Sequence, residues 1–369
     1  MRILIAPDKF KSALNAREVA KNIADGLHDA LPDAQIEVVP MADGGEGTAE
    51  AICEARNGSW LNCRAHDPLG REIEARYAWI EDGKLAVMEM SEAAGMLRLS
   101  ESERDPIHAT TFGVGEMILD ATNRGAKEII IGLGGSATND GGFCMARAIG
   151  YRFNYQRQRK RERECVANLV NLDRIDTPKD SMLPKIIAAV DVRNPLLGEN
   201  GATRVFGPQK GARKDELEVL EKALTRLADV VTREFGFDYR GKPGAGAAGG
   251  LGFGLMSFCR ATVRPGFDVV AEAVGLESKI KKVDIVITGE GSLDRQTLEG
   301  KTPAGVARLA RKLGKKVFAI AGRATNDRDV RDMFDGVYEN ALPGMSQKEN
   351  MGQAAELLRK NAHELAKNL

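Results

Sequence analysis

The chain has 369 residues and a mass of 39.9 kDa, with 43 % apolar residues and 53 Lys+Arg balanced by 53 Asp+Glu. At roughly 150 residues per domain this predicts two domains with sizeable cores, and a net charge of zero gives no reason to expect nucleic acid or an anionic membrane as a partner. The five cysteines form no C-x-x-C pair and the four histidines are isolated, which argues against a disulfide framework, a zinc knuckle and a histidine triad, and predicts the reduced thiols of a cytoplasmic protein.

Ile3-Leu4-Ile5-Ala6 reads as a buried strand, too short for a signal peptide; no apolar run approaches the roughly 18 residues of a membrane helix. Asn15 and Glu18 predict a capping box opening a helix with Val19, Ile23 and Leu27 on one face. Residues 36–39 form a second short strand, closed by Pro40. This β-α-β order predicts a parallel sheet with helices on its faces. Further strands are expected over 72–80, 85–90 and 127–131, with helices over 113–122 and 213–235. Near the C-terminus, 284–288 reads as a strand, Thr302-Pro303 opens a helix that Gly314 closes, and 316–321 is the next strand. The charged segment 156–164 has no interleaved aromatics and reads as a solvated loop or helix end.

Glycine is abundant, at 40 residues, and is clustered with charged and hydroxyl side chains at 41–48, 132–142, 207–211, 241–254 and 289–294. Such loops let backbone N–H groups approach phosphate oxygens. Known phosphate motifs fit poorly. Gly300-Lys301-Thr302 resembles the tail of a P-loop, but Arg295 stands where its first glycine belongs. Gly244, Gly246 and Gly249 have the dinucleotide spacing without a preceding strand, and Gly132, Gly134 and Ala137 lack the acidic residue ~20 positions on. A nicotinamide dehydrogenase is therefore a poor second. Phosphoryl transfer needs cations, carboxylates for Mg²⁺ and a group that orients or deprotonates the attacking hydroxyl. The loops carry Lys9, Lys11, Lys210 and Lys301; Asp8, Asp43, Glu46, Asp140, Asp191, Glu290 and Asp294; and Ser136, Thr138 and Asn139. Asp8 and Glu290 follow expected strands at the C-terminal edge, where open α/β sheets bind ligands.

Six segments resemble the bacterial glycerate kinase family. They are Ala6-Pro7-Asp8-Lys9-Phe10-Lys11; residues 42–48; residues 134–142; Asn194-Pro195-Leu196 with residues 206–212; residues 243–250; and Ile287-Thr288-Gly289-Glu290-Gly291 with Asp294. The resemblance implies two α/β domains. One is flavodoxin/Rossmann-like, with a parallel sheet built from both chain ends (1–65 plus 280–369); the other is an inserted mixed α/β domain (66–279). It also implies a cleft where the glycine loops converge and which closes during reaction. The implied activity is ATP-dependent phosphorylation of D-glycerate, with 2-phosphoglycerate favoured; the alternatives are a kinase for another small hydroxy acid and a non-catalytic nucleotide or sugar-acid sensor. A homo-oligomer is left open.

Under this resemblance ATP is expected against Asp8, Gly44, Gly45, Gly134, Gly135, Ser136, Thr138, Asn139, Gly289 and Gly291. Lys9 or Lys210 would counter phosphate charge. Mg²⁺ is expected on one or two of Asp43, Asp140 and Glu290, and the hydroxyl proton on Asp191 or Asp294. The chain departs from the family at Ala13, where serine is frequent, at 156–164, which is often glycine-rich, and at Ser292, where relatives commonly carry arginine. Arg295 or Arg323 is then left to hold the substrate carboxylate.

Overall fold

The structure, a computed structural model, describes residues 1–156, 165–179, 182–298, 300–341 and 344–369. Of the charged segment read as a loop, everything after Gln156 lies outside the described residues. In chain order the strands are β1 (Arg2–Ile5), β2 (Gln35–Val38), β3 (Ser59–His66), β4 (Glu72–Ile80), β5 (Leu85–Glu89), β6 (Glu128–Gly132) and β7 (Arg152–Tyr155). They continue as β8 (Leu172–Asp176), β9 (Lys185–Val190), β10 (Thr262–Pro265), β11 (Ile285–Leu293), β12 (Lys316–Ala324) and β13 (Gly336–Glu339).

The chain divides into two compact units. Met1–Asp43, Glu50–Arg56 and Pro265–Leu369 form the first; Gly44–Ala49 and Asn57–Arg264 form the second. These borders differ from those expected near 65 and 280, for two reasons. Strand β3 pairs with β4 along its length, from Ser59↔Trp79 to His66↔Glu72. Helices Gly266–Ala273 and Leu276–Lys281 belong with the first unit.

The first unit holds a parallel sheet in the order β2-β1-β11-β12-β13. Counted within the unit this is the 2-1-3-4-5 order of a flavodoxin-like sheet. Ile3, Leu4 and Ile5 of β1 are all fully buried, as a strand covered on both faces requires. Helix Ala16–Ala30 begins at the expected capping box: Asn15 Oδ1 accepts from Glu18 N at 2.8 Å while Glu18 Oε2 accepts from Asn15 N at 2.9 Å. Its Val19, Ile23 and Leu27 share a core with Leu358, Ala362 and Leu365 of the C-terminal helix Ala354–Ala366. Burial of each such leucine stabilises the fold by about 1.5–3 kcal/mol.

Strand β11 is longer than the sequence predicts. Instead of ending at Thr288 in a glycine loop, it stays paired with β12 as far as Leu293↔Ala324. The glycines permit this extension. A Cβ on Gly289 would lie 2.2 Å from Ile320 O, and one on Gly322 would lie 2.4 Å from Gly291 O. The Gly-Glu-Gly-Ser stretch is therefore strand, and its side chains alternate between faces.

The second unit contains a mixed sheet in the order β10-β9-β6-β5-β4-β3, with β5, β6 and β9 parallel and β3-β4-β5 antiparallel, together with the small antiparallel pair β7-β8. Helix Lys214–Phe235 buries Leu220, Leu224, Leu227 and Val231, and ends at Gly236 in the left-handed conformation (φ 76°). Among the described residues no helix is long and apolar enough to cross a membrane.

Candidate active site

In the first unit the expected site residues gather at the C-terminal ends of β1 and β11. Asp8 follows β1 and is anchored by its N–H, which donates to Gly289 O at 2.8 Å. Its Oδ2 accepts from Thr302 Oγ1 at 2.6 Å and its Oδ1 from Lys9 N at 2.7 Å. Glu290 lies within β11 and its Oε1 accepts from Thr297 Oγ1 at 2.7 Å. Both carboxylates are nearly buried. Burial and the Asp43 carboxylate raise Asp8 to about 7 against the opposing hydrogen bond from Thr302. Burial raises Glu290 to about 7 as well, opposed by Thr297 and Lys301 and assisted by Asp8 and Asp43. Three like charges thus repel one another at one sheet edge, an arrangement that a cation relieves.

Asp294 is half-buried and serves as a local cap: its Oδ1 accepts from Gln296 N at 2.8 Å, and Ser292 Oγ donates to its Oδ2 at 3.4 Å. Lys9 is half-buried. Gly291 packs beside the Phe10–Lys11 backbone. Gly289, expected to face a ligand, is instead occupied by the approach of β12.

In the second unit, residues 134–142 follow β6. Here the structure changes two expectations. Asp140 is fully buried. Its Oδ2 accepts from Thr111 N at 3.0 Å and Thr111 Oγ1 at 2.8 Å, and its Oδ1 from Gly142 N at 3.0 Å. Its oxygens are committed to holding the loop, so the metal role expected for it does not fit. Lys210 is buried too, its Nζ donating to Ser136 Oγ and Thr138 O, each at 2.7 Å. Burial draws its ammonium down to about 7, with Asp140 opposing. It ties the loop together from inside rather than presenting a surface charge to a phosphate.

Asn139 Nδ2 donates to Thr203 Oγ1 at 3.0 Å. Thr138 Oγ1 and Asn139 Oδ1 are buried without a partner among the described residues. Gly135 is exposed at φ 72°. Asp191 is exposed immediately after β9. Gly44 and Gly45 are packed rather than open: a Cβ on Gly132 would lie 2.8 Å from Gly44 O, and one on Gly134 would lie 2.5 Å from Gly45 Cα.

Sequence reasoning missed Thr302, Thr297 and Thr111, the hydroxyls that hold Asp8, Glu290 and Asp140. It also missed Glu89, at the end of β5, whose Oε1 accepts from Gly47 N at 2.9 Å and Ala49 N at 3.0 Å. Thr302 and Thr297 carried a partial signal, since each stands near the charged residues of its loop.

Among the described residues no group of three or more His, Cys, Asp or Glu side chains forms a metal cage. Mg²⁺ does not require one, because it keeps several waters and takes one or two carboxylates plus phosphate oxygens. The Asp8, Asp43 and Glu290 carboxylates suit that demand, being oxygen donors whose mutual repulsion a divalent ion offsets. A flavodoxin-like sheet with carboxylates and hydroxyls at its C-terminal edge, in a chain whose second α/β unit carries a glycine-rich loop, defines an α/β enzyme equipped for phosphoryl transfer.

Comparison with known proteins narrows the class. The model of the glycerate kinase family matches residues 3–369. A glycerate kinase of Halalkalibacterium halodurans is 40 % identical over 99 % of this chain and 97 % of its own. The glycerate 2-kinase of Escherichia coli is 43 % identical over 89 % of this chain and 87 % of its own. A crystal structure of a Salmonella typhimurium LT2 protein named as a glycerate kinase 2 superposes with a TM-score of 0.86 at 39 % identity, covering 100 % of this chain and 98 % of that one. The chain belongs to the glycerate kinase family.

Proposed function

We propose that this enzyme transfers the γ-phosphoryl group of ATP to the 2-hydroxyl of D-glycerate, releasing 2-phosphoglycerate and ADP. The carboxylate cluster at the ends of β1 and β11 carries the reading: Asp8 and Glu290 are held by Thr302 and Thr297 and strained by burial and by Asp43. The E. coli relative's name, glycerate 2-kinase, supports the choice of hydroxyl.

One or two of Asp43, Glu290 and Asp8 would hold Mg²⁺. When bound, the ion neutralises charge developing on the transferred phosphate. Lys9 is the cation assigned to the phosphates, and the exposed backbone at Gly135 and the half-buried backbone at Gly291 are assigned to nucleotide contact. Lys210, Ser136, Thr138 and Asn139 keep the 134–142 loop in shape. Asp294 or Asp191 accepts the proton of the attacking hydroxyl as its oxygen bonds to phosphorus and the bond to ADP breaks. With a loose transition state this transfer comes late, so orientation of the hydroxyl matters more than basicity.

The test is ADP release from MgATP with D-glycerate, against controls lacking glycerate or containing EDTA, with the product identified by phosphorus NMR. Release that depends on both additions and yields 2-phosphoglycerate supports the reading; release only with a different hydroxy acid overturns the substrate. Near-normal turnover in both Asp191→Asn and Asp294→Asn would remove these two from the role of base.

A further inference from the structure

A hydroxy-acid substrate is an anion, and its carboxylate needs a donor that no internal partner already occupies. At the edge of the first unit's sheet, most arginines are committed. Arg295 donates through Nε to Asp327 Oδ2 at 2.6 Å and lies 3.9 Å from Asp329. Arg331 pairs with Glu339 and donates to Thr325 O at 2.8 Å. Arg323 is different. It is exposed, and its side chain forms no hydrogen bond or ion pair among the described residues.

Its position is set by the extended pairing of β11 with β12. Ser292 pairs with Arg323 and Glu290 pairs with Ala321. Paired positions in a parallel sheet project to one face, as do residues two apart on a strand. Arg323 therefore shares a face with Glu290, one strand across and two residues further along. Its neighbour at the paired position is only a serine, which leaves the guanidinium room. The backbone around it is fixed by Thr325 N donating to Leu293 O at 2.9 Å and Ala324 N donating to Glu339 Oε2 at 3.1 Å. A planar guanidinium on a fixed strand end is suited to a bidentate grip on a carboxylate.

We infer that Arg323 is the residue that recognises the substrate carboxylate, and hence the determinant of preference for an acid over a neutral polyol. This rests on the kinase reading above and gives it a specificity element. Ser292 lines the same grip and adds a hydroxyl at its side.

The test compares the wild-type chain with Arg323→Ala, Arg323→Lys and Arg295→Ala. Arg323→Ala is expected to raise the KM for D-glycerate roughly 10- to 100-fold, with the KM for ATP and the melting temperature unchanged. Arg323→Lys restores part of the loss, and added guanidinium rescues the alanine variant. Discrimination between glycerate and glyceramide falls in Arg323→Ala, because the amide never used the charge. An unchanged glycerate KM in Arg323→Ala, or a raised one in Arg295→Ala alone, overturns the assignment.

Calorimetric titration of D-glycerate onto the full chain separates this from the kinase reading. An inactive wild type whose glycerate binding is lost in Arg323→Ala defeats the reading and keeps the grip. Binding unaffected by Arg323→Ala defeats the grip, and no binding by the wild type defeats both.

Discussion

Thr302 Oγ1 donates to Asp8 Oδ2 at 2.6 Å, joining side chains 294 residues apart in sequence. Thr302 opens helix Thr302–Lys312, while Asp8 stands three residues beyond the end of β1. The bond favours the ionised carboxylate against burial and the repulsion of Asp43. Thr302→Val deletes the donor while keeping the shape, and Asp8 then holds its proton to higher pH. If ionised Asp8 is needed for metal, the acid limb of kcat/KM moves up by about one pH unit. A pH–rate profile with an unmoved limb would contradict this.

The raised proton affinities of Asp8 and Glu290 also predict how stability varies with pH. Between the usual carboxylate range near pH 4 and about pH 7, the folded chain holds more protons than the unfolded chain. The contribution of these groups is present at the acid end of that window and is lost as pH rises through it, by a few kcal/mol. In EDTA, the melting temperature should be less sensitive to this rise in Glu290→Gln than in the wild type, and Mg²⁺ should raise it more at pH 8 than at pH 5. A metal response independent of pH would separate the cluster from the ion.

Asp140 is expected to behave as a structural carboxylate. Asp140→Ala leaves Thr111 N and Gly142 N without their acceptor in a buried setting, at a cost of about 3–5 kcal/mol. Asp140→Asn, which keeps one acceptor oxygen, should lose less. Chemical denaturation measures both. An Asp140→Ala chain of normal stability that merely needs more Mg²⁺ would return Asp140 to the metal site.

Gly249 has φ 66°, and a Cβ there would lie 1.9 Å from Thr138 O. Gly249→Ala therefore forces the 138–141 backbone away and should cost at least about 2 kcal/mol. Gly47→Ala, at φ 96° but facing open space, bears only the backbone strain, about 1 kcal/mol. Equal denaturation midpoints for the two variants would count against the packing role of Gly249.

Local pattern made much of the architecture legible. The capping box at Asn15 and Glu18, the strands at 72–80 and 85–89, and the long helix ending before Gly236 all rest on contacts between near neighbours in sequence. The glycine segments were visible as a group, but their work was not. Glycine at 132, 134 and 289 serves backbone-to-backbone packing, and only the folded chain shows which side a missing Cβ leaves open and what fills it. Lys210 could not be placed for a similar reason: its acceptors are 74 and 72 residues away, and nothing in periodicity distinguishes a buried lysine from a surface one. Arg295 and Arg323 were indistinguishable until Asp327 was seen to engage one of them.

The chain visits its two units in five alternating stretches, because Gly44–Ala49 belongs to the second unit while Met1–Asp43 and Glu50–Arg56 belong to the first. Neither unit is therefore a portable cassette. Excising 57–264 would strip the backbone that fills the space above Gly132 and Gly134 and would remove both amide donors from Glu89. Recombination that traded the larger insertion alone would carry off a sheet missing six residues of its own packing. The two units are bound to be inherited, and to diverge, together.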